Sequence, residues 1–148
     1  MPLSQNSPTH DAFIEAVTNV TRKLRTRFDA MAKSRGLTFS RARLFVLLSR
    51  HEGASQAELA DLLEVEQPSM VRLVDGLEKC GLIERQAAEE DRRSKHIYLT
   101  DAGREKAGEI LSFARELKAT VLEGIEAEEL RKATLTLQKV AANIAAQS

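Results

Sequence analysis

A polar segment near the middle of the chain carries side chains suited to reading base edges. Arg72 can donate paired hydrogen bonds to guanine O6 and N7, and Gln67 can pair with adenine in a similar way. Ser69 can hold a phosphate together with the backbone N–H groups of a helix start. The competing interpretations are helix capping for Gln67 and Ser69, and a weak surface salt bridge to Asp75 for Arg72. The DNA contacts predicted in this segment are Gln67, Pro68, Ser69 and Arg72.

Cations recur in residues 86–95, a stretch too polar to bury. Arg92, Arg93 and Lys95 stand near its end and can contact phosphates, which positions a protein on DNA without specifying sequence. Two glutamates just before them reduce the positive charge, and the competing interpretation is a solvated charged loop. We predict that this loop contacts DNA.

Two further polar residues, Ser55 and Gln56, open the helix that precedes the first segment. Glu58, three residues after Ser55, completes the capping-box pattern, which satisfies backbone donors that the helix itself leaves unpaired. Capping is therefore the first role expected of Ser55. We also predict phosphate contacts for Ser55 and Gln56.

The spacing of apolar residues between 55 and 100, and the residues there that begin or end helices, predict the elements that hold these side chains. A first helix is followed by a short break at 64–66, and Pro68 then begins a second helix, because proline is tolerated in a first turn. Gly81 is expected to end that helix in the left-handed conformation. The apolar positions predicted to be buried are Leu59, Leu62 and Leu63 in the first helix, and Met70, Val71, Val74 and Leu77 in the second.

Two short β-branched or aromatic segments, 82–85 and 96–100, flank the charged loop and predict a hairpin. Two helices joined by so short a turn match the helix-turn-helix, whose second helix enters the DNA major groove. With the hairpin added, the predicted fold class is mainly α: a winged helix-turn-helix.

Helices with continuous apolar faces flank this module on both sides. We predict a disordered tail at 1–10 and a single domain at 11–148, in which the winged helix-turn-helix occupies 37–100 and the flanking helices 11–35 and 101–148. A module of this size has limited surface on which to bury those faces. Because C2 dimers are the commonest oligomers, we predict a homodimer formed through the flanking helices. An intramolecular bundle is the alternative.

The formal net charge is zero, but the charge is unevenly distributed. Residues 22–50 contain nine Lys or Arg and one acid, whereas residues 51–148 contain thirteen basic and nineteen acidic residues. Attraction to phosphate depends on where charge lies rather than on its sum. A neutral total therefore does not exclude nucleic-acid binding.

Other chemistries have little support in the sequence. It contains no nucleophile elbow, glycine-rich phosphate loop or deaminase motif, so we predict no enzyme and no cofactor. His10, His51 and His96 lack metal-ligand spacing, which predicts no metal site, and His96 is expected to be an exposed strand residue. No apolar run approaches the ~20 residues of a membrane span, and no signal peptide is expected. A single cysteine, Cys80, fits the reducing cytoplasm that we predict.

The order of these motifs resembles the MarR family of bacterial transcription regulators. The shared features are a G-L-I-x-R strand at 81–85, a D-R-R-S-K wing at 91–95 and an L-T-D-A-G exit at 99–103. The segments VEQPSMVR at 65–72 and GIEAEEL at 124–130 look closest to the SlyA branch. The resemblance extends from about residue 11 to the end of the chain.

This resemblance implies a dimer on a pseudo-palindromic promoter site, with the recognition helix in the major groove. It also implies that Arg93 enters the minor groove while Asp91 holds Arg93 or an arginine of the recognition region. Arginine in the minor groove responds to groove width and negative potential rather than to base identity. Redox-sensing members carry their reactive cysteine in the first helix, so a sensor role for Cys80 is not expected.

Members of the family are similar in binding small aromatic acids or phenols in a cleft between the dimerisation helices and the DNA-binding module. The basic bias of residues 22–50 is compatible with an anionic effector there. The alternative is that these arginines face solvent or DNA phosphates, since no motif marks the cleft. The residues predicted to line it are Arg22, Arg25, Phe28, Met31 and Arg43.

The predicted function is that of a cytoplasmic, homodimeric DNA-binding regulator that represses transcription by blocking polymerase. The SlyA resemblance leaves room for activation by displacing a nucleoid protein. The leading alternative is a protein–protein adaptor on the same scaffold, since fold does not determine function. An adaptor should expose apolar residues on the second helix, whereas this sequence places Arg72, Asp75 and Glu78 there.

Overall fold

The computed structural model describes residues 7–87, 90 and 94–147. It is mainly helical with one two-stranded antiparallel sheet, which confirms the predicted fold class. The predicted contacts Asp91, Arg92 and Arg93 lie outside the described residues. In chain order the elements are α1 (Pro8–Ser34), α2 (Phe39–Arg50), α3 (Gln56–Leu63), α4 (Gln67–Lys79), β1 (Ile83–Ala87), β2 (Lys95–Leu99), α5 (Asp101–Val121) and α6 (Ala127–Ala145).

Helix α1 begins earlier than the predicted start at residue 11. Ser7 is its N-cap and accepts a hydrogen bond from the Thr9 N–H group at 3.3 Å. Pro8 follows as the first helical residue, where its missing N–H group costs nothing and its fixed φ suits the helix. The predicted disordered tail is therefore wrong for residues 8–10, and residues 1–6 lie outside the described part of the chain.

The helix-turn-helix forms where the capping and turn residues of the sequence predict it. Ser55 caps α3 by accepting a hydrogen bond from the Glu58 N–H group at 3.1 Å. The helix ends at Glu64, which adopts a left-handed φ of 56°, and α4 begins with Gln67 and Pro68. Gly81 follows α4 with a φ of 75°, which confirms the predicted left-handed position and redirects the chain into β1.

The core of the module is built from one face of each helix and from the inner face of the hairpin. In α4 the fully buried residues are Met70, Val74 and Leu77, at the i, i+4, i+7 spacing of one helical face. Val71 is 37% exposed and Leu62 in α3 is 49% exposed, so their predicted burial is wrong. Val71 follows the buried Met70, and Leu62 precedes the buried Leu63. A step of one residue turns the side chain by about 100° around the helix, so both side chains leave the buried face.

The hairpin is anchored to the chain segment that leads into α3. Strands β1 and β2 pair in the register Ile83 with Leu99 and Arg85 with Ile97. Ile97 also donates from its N–H group to the Ala54 carbonyl at 3.0 Å and accepts from the Gly53 N–H group at 2.8 Å. The base of the wing therefore moves with the start of α3.

A close approach of backbones joins the hairpin to α5. The Thr100 hydroxyl donates to the Gly81 carbonyl at 2.7 Å and accepts from the Gly103 N–H group at 3.1 Å. A Cβ atom on Gly103 would lie 1.8 Å from the Leu82 carbonyl oxygen, so a side chain cannot be accommodated without backbone movement. The L-T-D-A-G motif thus has a steric reason for its glycine.

The chain divides into two compact units, Met1–Ala114 and Arg115–Ser148. In the second unit, helix α6 has no buried residue. None of the described helices is both long and apolar enough to cross a membrane. The predicted single domain at 11–148 stays a prediction, as does the assignment of the flanking helices to a dimer interface. The exposed large apolar residues of the second unit are Val121, Leu122, Ile125, Leu135, Leu137 and Ile144.

Candidate nucleic-acid interface

The starts of α3, α4 and β2 meet around one open depression of about 230 Å³. Four of the predicted contacts, contributed by three separate elements, line it. The positive ends of two helix dipoles and a lysine at one concave surface favour an anion such as phosphate. The lining residues are Ser55, Gln56, Ala57, Gln67, Ser94 and Lys95.

The first turn of α4 has no side-chain cap among the described residues. Its N-cap position is Glu66, and neither Gln67 nor Ser69 caps the helix, so the capping interpretation of these two residues is wrong. Backbone N–H groups of this turn therefore point outward beside Gln67 and Pro68, both exposed. An uncapped helix start is where a phosphate oxygen can take the place of a capping side chain.

Arg72 is exposed on the outer face of α4. Its guanidinium group donates one long hydrogen bond, of 3.4 Å, to the Ser69 hydroxyl. The salt bridge to Asp75 that the sequence suggested as an alternative does not form, because Asp75 is paired with Arg85 instead. Within the described part of the chain, Arg72 therefore has no carboxylate partner and its guanidinium fork faces outward.

Arg85 joins three elements of the module, and the sequence reasoning did not identify it. From β1 its Nη2 donates to Asp75 Oδ1 at 2.5 Å and its Nη1 to Glu78 Oε1 at 3.1 Å, both in α4. Its Nε donates to Gln56 Oε1 in α3 at 3.2 Å, and its side chain is only 18% exposed. The G-L-I-x-R motif combined with two acids on the polar face of the preceding helix was the available signal.

Two consequences follow for the recognition surface. Arg85 pairs with two carboxylates of α4, Asp75 and Glu78, and offsets half of the negative charge that would repel DNA phosphates. It also fixes the angle between α3 and α4 from the side of the hairpin. Because the oxygen of Gln56 accepts from Arg85, the amide NH₂ group of Gln56 is left to donate into the depression.

His96 is half-buried, which corrects the expectation of an exposed strand residue. Its Nδ1 lies 2.6 Å from the Gly53 carbonyl oxygen, so Nδ1 carries the proton, and its Nε2 lies 3.3 Å from the Ser94 hydroxyl. These contacts hold the first residues of β2 against the segment before α3. Lys95 is thereby carried to the edge of the depression.

A second cluster, of aromatic rings and arginines, forms between α1, α2 and α5. The Phe28 ring meets Phe39 edge-on at 5.7 Å and Phe113 at 6.4 Å. Arg25 and Arg43 stand over the Phe39 ring at 4.7 and 5.8 Å. Three of the predicted cleft residues, Arg25, Phe28 and Arg43, are thus brought together, while Phe39 and Phe113 were not identified from the sequence.

The other two predicted cleft residues differ from each other in exposure. Arg22 is exposed and donates to Asn19 Oδ1 of its own helix at 2.7 Å. Met31 is buried in the hydrophobic core of the module. A periodic pattern along α1 cannot separate these positions from Arg25 and Phe28, because only the packing of α2 and α5 decides which turn of α1 meets the phenylalanines.

An ion pair outside the candidate interface, between Glu52 and Arg104, lowers the pKa of the Glu52 carboxyl. Glu52, after α2, accepts from Arg104 of α5 at 2.6 and 2.8 Å and from the Leu99 N–H group at 3.2 Å. The hydrogen bonds from the Arg104 guanidinium hold the pKa of the Glu52 carboxyl below its usual range, against a smaller opposing effect of burial. Among the described residues, no group of three or more histidines, cysteines and acids could hold a metal ion.

Comparison with known proteins identifies the relatives of this chain. The profile of the MarR family matches residues 35–94. The solved structure of the transcriptional regulator PA3341 is 34% identical, with 89% of this chain and 97% of that chain covered and a TM-score of 0.80. At lower identity the fold is shared with two DNA complexes. One is a MarR family regulator from Listeria monocytogenes with 26mer DNA (24% identity, 90% and 89% coverage, TM-score 0.80), and the other is MepR from S. aureus (21%, 89% and 97%, 0.78).

Proposed function

This chain belongs to the MarR family of transcriptional regulators, which are not enzymes, and from that premise we propose that it represses transcription by binding a pseudo-palindromic promoter site as a homodimer. The observation that carries the proposal is the surface around the start of α4. There, uncapped N–H groups, the open depression and an Arg72 that has no carboxylate partner among the described residues lie side by side. The SlyA branch stays a prediction.

Helix α4 enters the major groove and Arg72 reads a guanine through a two-pronged hydrogen bond. Gln67 and Ser69 are held at the same end of the helix, and Pro68 presents its ring to the groove floor. The depression receives a backbone phosphate, to which Ser55, Gln56 and Lys95 donate. The resemblance to the family adds the wing, with Arg93 in the minor groove, Asp91 supporting it and Arg92 on a phosphate.

The homodimer supplies the second recognition helix. Exposed apolar residues along α6, Leu135, Leu137 and Ile144 among them, are the surface proposed to be covered by a second copy. A C2 dimer places two α4 helices on half-sites about one helical turn apart, so its operator is a pseudo-palindrome. MepR and the Listeria regulator are each known in complex with DNA, which supports the same mode of binding here.

Two finer points belong to the proposal. The protein acts in the bacterial cytoplasm, where its DNA is, and blocks polymerase. A small aromatic anion is its effector and binds beside Phe28 and Phe39, with Arg25 and Arg43 as the cationic partners. Arg22 donates to Asn19 of its own helix, so we place it outside that site. Met31 lies in the hydrophobic core against which Phe28 and Phe113 pack, so it remains a proposed lining residue.

The adaptor alternative has less support. An adaptor would present a contiguous apolar surface on α4, but most exposed residues of this helix are polar or charged. Val71 is the one large apolar residue exposed in α4, whose residues are all described. A single exposed valine among charges is too small an area for a stable protein interface.

The test is selection of duplexes from a random pool by the purified protein, followed by a salt titration on the enriched sequence. We expect an inverted repeat whose affinity falls steeply with salt. Arg72→Ala should cost about 1–3 kcal/mol on this site and relax specificity at one base pair of each half-site. Lys79→Ala, which removes a cation from the last turn of the same helix, should leave specificity unchanged. No enrichment by the folded protein at low salt would overturn the proposal.

A further inference from the structure

Val71 differs from every other large apolar residue of α4. Met70, Val74 and Leu77 are completely buried, whereas 37% of Val71 is exposed. Its position is set by the buried face, because Met70 and Val74 must point inward and Val71 then turns out of the core. The packing of the helix therefore places a β-branched apolar side chain on the surface that faces DNA.

The neighbours of Val71 are the groups assigned to DNA contact. Gln67, one turn earlier at i−4, lines the depression proposed to receive a phosphate. Arg72, the next residue, carries the outward-facing guanidinium group. On the other side, Arg85 Nη2 lies 3.5 Å from the Val71 carbonyl oxygen and pairs with Asp75, one turn later. Val71 thus lies between the phosphate site and the guanine reader, next to a carboxylate that is already paired with Arg85.

The major groove offers one apolar group on a base edge, the 5-methyl group of thymine. Valine suits it because branching at Cβ restricts χ1, so its two methyl groups are held in place with little loss of side-chain entropy. Consecutive helix residues are separated by about 1.5 Å along the axis and about 100° around it, and Val71 and Arg72 are both exposed. The side chains of Val71 and Arg72 can therefore reach adjacent base pairs.

We propose that Val71 reads the 5-methyl group of a thymine that neighbours the guanine bound by Arg72 in each half-site. This specificity contact deepens the proposed function and rests on it. Arg72 then supplies discrimination by hydrogen bonds and Val71 supplies it by contact with a methyl group. The two signals are independent, because a base can be changed to remove either one alone.

The experiment replaces each thymine of the enriched operator, one at a time, by deoxyuridine. Uracil keeps the hydrogen-bonding groups of thymine and lacks only the methyl group, which lies in the major groove and is out of reach of the wing in the minor groove. Dissociation constants are measured for the wild type, for Val71→Ala and for Leu62→Ala. The last is a matched control, since Leu62 is an exposed apolar residue of α3.

We expect one thymine per half-site at which uracil weakens wild-type binding by about fourfold, the effect of one buried methyl group. Val71→Ala should bind thymine and uracil at that position equally, whereas Leu62→Ala should keep the full difference. The inference is overturned if Val71→Ala retains the wild-type sensitivity at every thymine, or if no thymine is sensitive. The proposed function survives either of these results, because tight binding to the enriched operator remains. Failure to enrich any operator overturns both.

Discussion

The helices of the winged module and helix α6 have similar apolar spacing but very different burial. In α2 the buried residues are Ala42, Leu44, Phe45 and Leu48, and in α4 they are Met70, Val74 and Leu77. In α6 no residue is buried, although three leucines, a valine and an isoleucine lie along it. An amphipathic pattern therefore indicates that one face of a helix is to be buried, but it does not indicate which element or partner buries that face.

The difference separates a part of the chain that contains a hydrophobic core from a part whose helix α6 has no buried residue. The module joins three helices and a hairpin around one hydrophobic core, whereas Ile14, Val20 and Leu24 of α1 stay exposed. Helix α6 leaves large apolar side chains in contact with water at a cost proportional to their area. A second copy of the chain is the occupant that we propose for that face, and four experiments test the contrast.

The largest effect is expected from charges placed on the apolar face of α6. Replacing Leu137 and Ile144 together by glutamate should weaken the dimer by about 4 kcal/mol, because each buries a charge at the proposed interface. Sedimentation velocity should then detect monomers at concentrations where the wild type is dimeric. Gln138→Glu, on the same exposed helix, is the matched control and should remain dimeric. An unchanged dimer in the double variant would contradict the proposed interface.

The next effect acts inside the part that contains the hydrophobic core. Gly103→Ala should lower the free energy of unfolding by about 3 kcal/mol, since its Cβ atom would collide with the Leu82 carbonyl. Gly108→Ala in the same helix meets nothing within 4 Å and should raise it by about 1 kcal/mol through helix propensity. Urea denaturation at one fixed protein concentration measures both variants. Equal behaviour of the two glycines would rule out the close backbone approach.

A smaller effect is expected from Arg85, and on DNA binding rather than on the dimer. Arg85→Ala should reduce operator affinity about tenfold, because two carboxylates of α4 lose the positive charge that partly offsets theirs and then repel DNA phosphates more strongly. Adding Asp75→Asn to that variant should restore part of the loss. Lys33→Ala, which breaks an exposed pair with Asp29 in α1, is the control that also removes one cation.

Fluorescence anisotropy with a labelled operator gives the affinities, and sedimentation checks that each Arg85 variant stays dimeric. If Asp75→Asn gives no recovery, Arg85 acts by holding the helices and not by cancelling charge.

The smallest effect concerns pH and the Glu52–Arg104 pair. The pKa of Glu52 is lower in the folded protein than in the unfolded chain, so the pair stabilises the fold at pH values above the usual glutamate pKa. That stabilisation is lost as the pH falls through the folded-state value and the carboxyl gains its proton. Glu52→Gln should therefore be less stable than the wild type at neutral pH, and the difference should shrink in acid. Denaturation midpoints at several pH values measure it, and a pH-independent difference would exclude this linkage.

Much of the module could be predicted because its signals are local. The Ser55 cap, Pro68 in a first turn and Gly81 after α4 each depend on neighbours a few residues away. The order of motifs also indicated the family, which the profile match and the PA3341 structure confirm. The predicted disorder is wrong at residues 8–10, because Ser7 and Pro8 form a helix start.

For the site residues, too, some features follow from local sequence and others depend on tertiary contacts. By itself the sequence determined which residues are polar and which helix turn carries them, because hydrogen-bond ranges and helix periodicity operate over a few residues. Only the tertiary structure decided that Asp75 pairs with Arg85 rather than Arg72, and that Val71 is exposed. It also decided that Arg25 and Arg43 meet at Phe39 while Arg22 does not. Such choices are made between elements far apart in the chain, where contact energies depend on packing that no local pattern contains.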